Sequence, residues 1–363
     1  MTSSPPRTVV TDARMLAYPL TGIGRYVLEL LKRLVARPGT HWVLLSARPV
    51  PPALRAEFVG DLEWIEGSPS QRAELWTQRR AARELHRRPE AIYLGLANSV
   101  PFLAPRRRIR CLVIYDLSFL VVPRLTDAFD LAKAFVVTLP SIMAATRIVA
   151  ISRAVEHELL RYFPGRRGRT SALPLGGTRI GSGAVEPFER RSGFLAVGAH
   201  RRKNVGLLLR AYAQLPPALR AQHPLHVVAR RLPGHLERLV ERLGLAPDVR
   251  LSADLDDREL GALYSRCLSL VYPSAYEGLG LPVAEAMLAG LPSIIPAGTP
   301  MEEFLDGAGI VVRSRDLGAL VDAMRSLATE REIWNRCATR TAAAAANLGW
   351  DRVADAAAKA IGI

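Results

Sequence analysis

Short runs of β-branched and aliphatic residues alternate with segments of helical pattern along this chain, and the alternation occurs twice. In the first half the runs include "RTVVTDAR", "HWVLLSA", "AIYLGL" and "ATRIVAIS", with a helical segment at Ile23–Ala36. After residue 193 it resumes with "FLAVGA", "PLHVVARR", "DVRLSA", "LSLVYPS" and "PSIIPA". Strands that alternate with helices build parallel sheets through βαβ units, so two α/β domains with doubly wound sheets are predicted.

The alternation stops in a segment that reads as a linker. Leu173–Gly193, "LPLGGTRIGSGAVEPFERRSG", contains five glycines and two prolines, which disfavour regular structure. A chain of 363 residues accommodates two domains of about 100 to 200 residues each. We therefore predict an N-terminal domain over residues 1–172, a C-terminal domain over 173–345, and a final helix over 346–363 that packs back on the N-terminal domain.

Charge and cysteine content limit the classes of partner and cofactor. The formal net charge of +15 indicates an anionic partner, such as a phosphorylated substrate, an acidic membrane surface or nucleic acid. Aromatic residues make up only 6% and no zinc module or helix-turn-helix pattern is evident, which argues against nucleic acid. The three cysteines lie far apart without metal-ligand spacing, so neither a disulfide framework nor a metal site is expected.

No targeting or membrane-spanning segment is evident in the sequence. The first residues, "MTSSPPRTVVTDAR", lack the apolar core of a signal peptide. The longest apolar run, Ala134–Thr146, contains Pro140 and falls short of the roughly 20 residues that a spanning helix needs. We expect this run to form a core helix and the protein to be cytoplasmic.

The stretch Tyr272–Phe304 places two glutamates around a glycine-rich bend. Glu277 lies in a loop after the strand pattern "LSLVYPS", and Glu285 lies one turn inside the following helix. Gly278 and Gly280 allow backbone N–H groups to approach a ligand, and the helix start adds unsatisfied donors. Such a bend could hold a phosphate while the carboxylates accept hydrogen bonds from sugar hydroxyls. Alternatively, the glutamates only cap or solvate a helix.

Two further segments place candidate binding groups beside helix starts. In "FLAVGAHRRKNVGLLLRAYAQL" a strand ends at Gly198, and cations follow it just before Asn204, a good N-cap residue. Two of these cations could clamp a diphosphate, although solvated basic residues in a turn would read the same way. In the N-terminal domain, Gly22 and Gly24 open the helix of "TGIGRYVLELL". Because this segment lacks the third glycine of a dinucleotide fingerprint, a dehydrogenase is a weak interpretation.

Taken together, these motifs resemble the retaining nucleotide-sugar glycosyltransferases of family 4. The resemblance covers nearly the whole chain, in order: "DAR…TGIGRY", "VIYDLSFL", "RIVAISRAVEHELLRYF", "LPLG", "VGAHRRKN", "VRLSADLDDRELGALYSRCLSLVYPSAYEGLGLPVAEAMLAGLPSI" and "LGWDRVA". It implies the GT-B fold, in which two Rossmann-like domains face a central cleft. It also implies a hexosyltransferase that needs no metal or other cofactor and uses a nucleotide diphosphate sugar as co-substrate.

The resemblance assigns roles to individual residues. Glu277 would hold hydroxyls of the donor sugar, and Glu285 would hold the ribose hydroxyls. Arg202 and Lys203 would neutralise the diphosphate leaving group. The residues expected to contact the donor mainly through their backbone are Gly278, Leu279, Gly280 and Leu281 at the bend, Gly198 before the basic segment, and Gly22 and Gly24 in the N-terminal domain.

Two departures from the family pattern leave alternatives open. Tyr115 stands in "VIYDLSFL" where many relatives carry a histidine that contacts the donor sugar, which implies a different donor sugar or altered activity. The loop before Lys203 is one residue shorter than usual, so either Arg201 or Arg202 occupies the clamp position, and we favour Arg202. Asp116 either orients the acceptor or caps the following turn.

The resemblance to mannosyl- and rhamnosyl-type enzymes makes GDP-mannose the first donor candidate, with other GDP- and UDP-sugars as alternatives. The expected acceptor is a saccharide or lipid-linked glycan in the synthesis of a cell-surface polysaccharide such as lipopolysaccharide. Arginines of residues 78–88 and 106–110, near Trp76 and Phe102 in sequence, could attract anionic headgroups at the inner face of the cytoplasmic membrane. The competing hypotheses are a catalytically silent nucleotide-sugar-binding subunit and, less favoured, a nucleic-acid-binding protein.

Overall fold

A computed structural model describes residues 7–69, 72–102, 104, 108–181, 185–305 and 307–363. The chain forms two compact units. The first comprises the described residues up to Leu175 together with Trp350–Ile363, and the second comprises Gly176–Gly349. The chain therefore passes between the units twice, a few residues after the predicted borders at 172 and 345.

The first unit is built on a seven-stranded parallel sheet in the order β3-β2-β1-β4-β5-β6-β7. Its strands are β1 (Arg7–Asp12), β2 (Thr40–Ser46), β3 (Leu62–Glu66), β4 (Ile92–Gly95), β5 (Arg110–Ile114), β6 (Arg147–Ala150) and β7 (Thr170–Ala172). Its helices are α1 (Gly22–Val35), α2 (Pro52–Arg55), α3 (Ala73–Arg87), α4 (Ser118–Val121), α5 (Ala128–Lys133), α6 (Leu139–Ala144), α7 (Arg153–Tyr162) and, from the chain end, α16 (Trp350–Ile361).

The second unit is built on a six-stranded parallel sheet in the order β10-β9-β8-β11-β12-β13. Its strands are β8 (Phe194–Val197), β9 (Leu225–Ala229), β10 (Val249–Ala253), β11 (Ser269–Val271), β12 (Ser293–Pro296) and β13 (Gly309–Val312). Its helices are α8 (Val205–Ala213), α9 (Pro217–Gln222), α10 (Gly234–Arg242), α11 (Asp257–Arg266), α12 (Leu281–Leu288), α13 (Glu302–Leu305), α14 (Leu317–Thr329) and α15 (Arg331–Ala345). The prediction of two doubly wound α/β domains is confirmed.

Each sheet contains one point at which the strand order reverses. In the first unit β2 and β3 lie on one side of β1, and β4 to β7 lie on its other side, so the reversal is between β1 and β4. In the second unit the same reversal lies between β8 and β11. Ligands of open α/β sheets bind outside the carboxyl ends of the strands at such points. The loops that follow β8 and β11 are therefore the first place to look for a site in the second unit.

Helices α1 and α16 pack together within the first unit. Thr21 Oγ1 accepts a hydrogen bond from the Gly24 backbone N–H at 3.3 Å, which caps the start of α1. The Trp350 ring contacts the Tyr26 ring edge-on at 5.0 Å between centroids. At the helix surface, Arg33 Nε lies 2.8 Å from Asp351 Oδ1. The buried aromatic contact, rather than this exposed ion pair, is the main source of stability here.

The apolar run Ala134–Thr146 differs from its prediction as a core helix. It forms a π-helical segment, Ala134–Thr138, followed by α6. One side of it is buried, but Val136 is 70% exposed and Met143 59% exposed. A continuously apolar run carries no periodicity that would tell its buried side from its exposed side. Among the described residues, no helix has both the length and the apolar character needed to cross a membrane.

Candidate functional site

The loop after β8 brings Lys203 to the carboxyl edge of the second sheet. Gly198, directly after the strand, has a φ of +91°, which favours glycine. A Cβ atom there would lie 3.1 Å from Lys203 Cε, so the missing side chain lets Lys203 lie across the backbone. Asn204 precedes α8 with a φ of 55° and makes no side-chain cap hydrogen bond. Asn204 therefore occupies the N-cap position that the sequence predicts, and its left-handed backbone turns the chain there.

The loop after β11 supplies the partners of Lys203. Lys203 Nζ donates a hydrogen bond to Glu277 Oε1 at 2.7 Å and another to the Tyr272 hydroxyl, and it lies 4.5 Å from the centroid of the Tyr272 ring. Ser274 Oγ also donates to Glu277 Oε1, at 2.5 Å. These contacts join the two loops at the point where the strand order of the second sheet reverses.

Arg202 is fixed by its backbone between the same two loops. Its carbonyl oxygen accepts from the Ala275 N–H at 2.7 Å and lies 3.1 Å from Ser274 Oγ. The charge of Arg202 acts on Glu277, and Arg201 is more exposed than Arg202. This geometry favours Arg202 over Arg201 as the clamp residue, and the assignment stays a prediction.

Opposing effects set the ionisation of Glu277. The carboxylate is 7% exposed, and burial raises its pKa, but the charges of Lys203 and Arg202 together with hydrogen bonds from Lys203 and Ser274 leave the pKa below the ordinary value of 4.5. Burial, followed by the charge of Glu277, holds the pKa of Tyr272 well above its ordinary value. At neutral pH the site therefore holds the Glu277 carboxylate beside the neutral phenol of Tyr272.

We expect the stability difference between the native protein and Glu277→Gln to shrink on acidification. A carboxyl whose pKa is lower in the folded state stabilises the fold above its unfolded pKa, and that stabilisation is lost as the pH falls through the folded pKa. The native protein should therefore unfold at a higher temperature than the variant at pH 7, with the gap closing below the ordinary carboxyl pKa of 4.5. Circular dichroism melts at several pH values measure this gap. The exposed Glu237→Gln is the control, and a gap independent of pH contradicts the assignment.

The glycine-rich bend positions the start of α12. Gly280 occupies the N-cap position with a φ of +91°, and a Cβ atom there would lie 2.5 Å from Met301 Cγ. Gly278 and Leu279 are buried beside it, and Leu281 is the first residue of the helix. Gly290 follows the helix with a φ of +63°, as expected for a residue just beyond a helix end. Glycine at position 280 therefore allows both the turn and the close approach of Met301.

Gly280→Ala is expected to destabilise the second unit more than Gly298→Ala does. Both glycines have positive φ angles, so alanine costs about 1 kcal/mol of backbone strain at each. Gly298 has nothing within 4 Å of its added Cβ, whereas Gly280 meets Met301, so only Gly280→Ala adds a steric clash. Thermal unfolding of the two variants makes the comparison. Equal losses in melting temperature would show that Met301 does not constrain the bend.

Glu285 is held in place from a neighbouring helix. Its side chain on α12 is 8% exposed, and Glu285 Oε2 accepts a hydrogen bond from Tyr264 Oη at 2.7 Å. Tyr264 lies on α11 and is fully buried. A buried carboxylate with one oxygen engaged by a rigid phenol has a fixed orientation, which suits recognition of a pair of hydroxyl groups.

The remaining predicted residues lie in the first unit. Gly22 begins α1 and Gly24 is buried in its first turn. Tyr115 follows β5, and its backbone N–H donates to Asn98 Oδ1 at 3.2 Å. Asp116 Oδ1 accepts from the Ser118 backbone N–H at 3.0 Å and from Ser118 Oγ at 2.8 Å. Asp116 thus forms the turn-capping contacts considered in the sequence, and its role towards an acceptor stays a prediction.

The Tyr115 side chain is enclosed by protein. It is 4% exposed, and its ring meets the Tyr26 ring edge-on at 5.6 Å. Its hydroxyl is buried and has no hydrogen-bond partner among the residues that the structure describes. Burial raises the pKa of Tyr115 well above its ordinary value, so the phenol stays neutral. Buried hydroxyl groups nearly always have a hydrogen-bond partner, so the Tyr115 hydroxyl is an exception that calls for an explanation.

A buried polar cluster that the sequence did not predict lies at the reversal point of the first sheet. Arg14 Nε lies 3.0 Å from Asp12 Oδ2, and Arg14 Nη1 lies 2.7 Å from Glu74 Oε2. Arg14 Nη2 also donates to Ser99 Oγ at 2.9 Å. Burial raises the pKa of Asp12 although Arg14 opposes it. The available signal was "TDAR" at the end of the apolar strand β1, but the partners Glu74 and Ser99 come from residues far along the chain.

The second-unit arrangement can bind an anion beside a polyol. Cations on the β8 loop and the N-terminus of α12 can stabilise phosphate charge, while Glu277 and Glu285 can accept hydrogen bonds from hydroxyls. Among the described residues, no three His, Cys, Asp or Glu side chains gather as a metal-binding group would require.

Comparison of the sequence with known proteins identifies the family of the chain. The model of the family described as glycosyl transferases group 1 matches residues 185–343. The chain is 30% identical to O-antigen chain mannosyltransferase B of Escherichia coli, over 92% of this chain and 98% of that protein. It is 28% identical to D-inositol 3-phosphate glycosyltransferase of Streptomyces avermitilis, over 60% of this chain and 52% of that protein.

Solved structures match the fold over almost its full length. The structure of WaaG, a glycosyltransferase involved in lipopolysaccharide biosynthesis, aligns with a TM-score of 0.76 at 17% identity and covers 98% of this chain and 99% of that one. Anabaena Alr3699/HepE in complex with UDP-glucose aligns with a TM-score of 0.74 at 16% identity, with 98% and 99% coverage. These matches confirm the predicted GT-B fold.

Proposed function

The chain belongs to the group 1 glycosyltransferases, and on that premise we propose that it transfers mannose from GDP-mannose, with retention of configuration, to a saccharide or lipid-linked glycan acceptor. The product would be part of a cell-surface polysaccharide. Its relative from Escherichia coli is named an O-antigen chain mannosyltransferase, which supports mannose as the sugar. GDP as the nucleotide is the prediction made from sequence, and other GDP- and UDP-sugars are the alternatives.

The observation that carries the proposal is the Lys203–Glu277 contact at the reversal point of the second sheet. An ammonium group has three N–H donors. Among the described residues Glu277 and Tyr272 engage two of them, and we propose that the third donates to a phosphate oxygen of the donor. We propose that Glu277 also accepts a hydrogen bond from a hydroxyl of the donor sugar. In this proposal Lys203 contacts the phosphate on one side of the bond that breaks, and Glu277 contacts the sugar on the other side.

In the proposed reaction an acceptor hydroxyl oxygen bonds to the anomeric carbon on the face from which the nucleoside diphosphate leaves. The bond between the anomeric carbon and the phosphate oxygen breaks, and the acceptor proton passes to the departing phosphate. Lys203 and Arg202 stabilise the charge that develops on the diphosphate, which is the main catalytic task. Glu277 orients the sugar and Glu285 holds the ribose hydroxyls. The proposal requires no cofactor besides the donor.

A thermal-shift screen followed by a transfer assay tests the proposal. A ligand that binds only the folded protein raises its melting temperature. GDP and GDP-mannose should raise it more than ADP or UDP do, and mass spectrometry should detect a mannosylated acceptor whose anomeric configuration by NMR matches that of the donor. The absence of stabilisation by every nucleoside diphosphate, or transfer with inverted configuration, would contradict the proposal.

The buried Tyr115 favours one alternative, a silent subunit that binds nucleotide sugar without turning it over. Tyrosine cannot accept a proton near neutral pH as histidine can, and the Tyr115 pKa is raised further by burial. Turnover by the native protein alongside Tyr115→His separates the two functions. Transfer by the histidine variant alone would establish the silent subunit.

Peripheral association with an anionic membrane is part of the proposed setting. Of the arginines predicted to support it, Arg106 and Arg107 lie outside the described residues. Arg108 is half-buried and donates to the Pro89 carbonyl oxygen. The arginines of residues 78–88 all lie within the described residues, in and directly after helix α3.

A further inference from the structure

The arginines of α3 fall into two groups with different surroundings. Arg80 Nε lies 2.9 Å and Arg87 Nη1 3.4 Å from Glu84 Oε1, and Arg88 contacts the other oxygen of the same buried carboxylate. A second group, the α3 triad, consists of Arg72 just before the helix and Arg79 and Arg83 within it. All three are exposed, and in the part of the chain that the structure describes none of them contacts a carboxylate.

The α3 triad lines a cavity of about 360 Å³. The other lining residues are Arg80, Leu75 and Trp76, and their spacing along the helix places them on one face. Leu75 is 45% exposed although it is apolar. A volume at the lower end of the range for small-molecule sites suits a phosphate group with an adjoining ring. Converging cations beside an indole and an aliphatic side chain indicate an anion that also carries apolar or ring surface.

Three contacts fix α3 to the carboxyl edge of the first sheet. Glu74 pairs with Arg14, which follows β1. Gln78 Nε2 donates to the Val100 carbonyl oxygen at 3.1 Å, and the Phe102 N–H donates to Gln78 Oε1 at 3.3 Å. Val100 and Phe102 belong to the segment that follows β4. The side of α3 that carries Gln78 is therefore fixed to the first sheet, and the α3 triad lies on the opposite, exposed side of the helix.

We propose that the α3 triad binds the pyrophosphate of a lipid-linked acceptor, with Trp76 and Leu75 against the adjoining sugar or prenyl group. This inference rests on the proposed function for the identity of the acceptor. Guanidinium groups bind phosphate oxygens through paired hydrogen bonds. An indole face packs on flat, weakly polar surfaces such as the faces of sugar rings. Convergence on one cavity fits a discrete ligand better than a broad lipid surface.

Isothermal titration with geranyl pyrophosphate tests the inference on the full-length protein. The second-unit site is first saturated with the nucleoside diphosphate that raises the melting temperature most. If none raises it, the proposed function has failed, and the titration is made on Lys203→Ala protein so that the α3 cavity is still judged by itself. The test variant is Arg79→Gln/Arg83→Gln. The matched control is Arg87→Gln, which lies on the same helix but pairs with Glu84.

We expect the double variant to bind geranyl pyrophosphate at least about tenfold more weakly, because two charge-assisted contacts are lost. The affinity of the Arg87→Gln control for geranyl pyrophosphate should stay within about twofold of the native value, because this variant loses no contact with the ligand. No binding by the native protein, or equal binding by the double variant, overturns the inference. Sedimentation with phosphatidylcholine vesicles containing phosphatidylglycerol is measured in parallel. Loss of vesicle binding with geranyl pyrophosphate binding unchanged overturns it in favour of a general anionic surface.

Discussion

Lys203→Ala is expected to lower kcat/KM for the sugar donor by about a hundred- to a thousandfold, the effect of removing one group that stabilises developing charge in an active site. The side chain is 13% exposed and lies 2.7 Å from Glu277, so water replaces it poorly. Affinity for the nucleoside diphosphate should fall as well, because the ammonium group contacts the leaving group before and after transfer. Steady-state kinetics and calorimetry measure the two effects.

The partner of Lys203 provides the control for this prediction. Removing Lys203 alone leaves the buried Glu277 carboxylate without its nearest cation, and a broken buried pair destabilises a fold by about 3 to 5 kcal/mol. Lys203→Ala/Glu277→Gln removes both charges and should recover much of the melting temperature without recovering turnover. Lys32→Ala, which breaks the exposed pair with Glu57, should change neither. Turnover within about tenfold of native for Lys203→Ala would refute the proposed clamp, because a clamp residue contributes more.

Glu285→Gln is expected to weaken binding of the nucleoside diphosphate by about ten- to a hundredfold, since hydrogen bonds to a charged group contribute about 1.5 to 3 kcal/mol. The diagnostic measurement compares each nucleoside diphosphate with its 2′-deoxy form. The native protein should prefer the ribose form, and the variant should lose most of that preference. A reduction in affinity with the preference intact would show that Glu285 acts elsewhere than on the ribose.

A smaller change at Tyr264 should have a related effect. Tyr264→Phe removes the phenol hydroxyl that donates to Glu285 Oε2 at 2.7 Å but keeps the buried ring. We expect an intermediate loss of the preference for ribose, because the carboxylate is still present but less well oriented. Glu237→Gln, an exposed change on α10, controls for loss of negative charge in the same unit.

The sequence predicts the elements with strong patterns and misses those without them. Every apolar strand run used in the prediction corresponds to a strand, and the terminal helices follow Leu317 as expected. Strand β3, "LEWIE", is half-buried along its whole length, so it lacks the continuous apolar run of a buried parallel strand. Helix α3 is strongly polar, and its role depends on contacts with Arg14 and Val100 that local sequence does not specify.

The candidate site likewise has parts that the sequence predicts and parts that it does not. The glycine-rich bend is legible in the sequence because a tight turn requires particular residues at particular spacings. The contact of Lys203 with Glu277 joins residues that are 74 positions apart, and the Tyr264–Glu285 bond joins separate helices. Both depend on which strands become neighbours in the sheet. The choice between Arg201 and Arg202 likewise depends on the backbone bonds of the loop, which residue types alone do not determine.

Helix α16 follows the whole second unit along the chain, yet it belongs to the first unit. The second unit is one contiguous segment and can fold as soon as it has been synthesised. The first unit cannot be completed until α16 has been made, and until then the side of α1 that α16 covers, including Tyr26, is exposed. Domains usually fold in the order in which they are made, and this topology reverses that order. The Tyr26–Trp350 contact can therefore form only after the second unit has been synthesised, and the surface that Trp350 covers stays exposed until then.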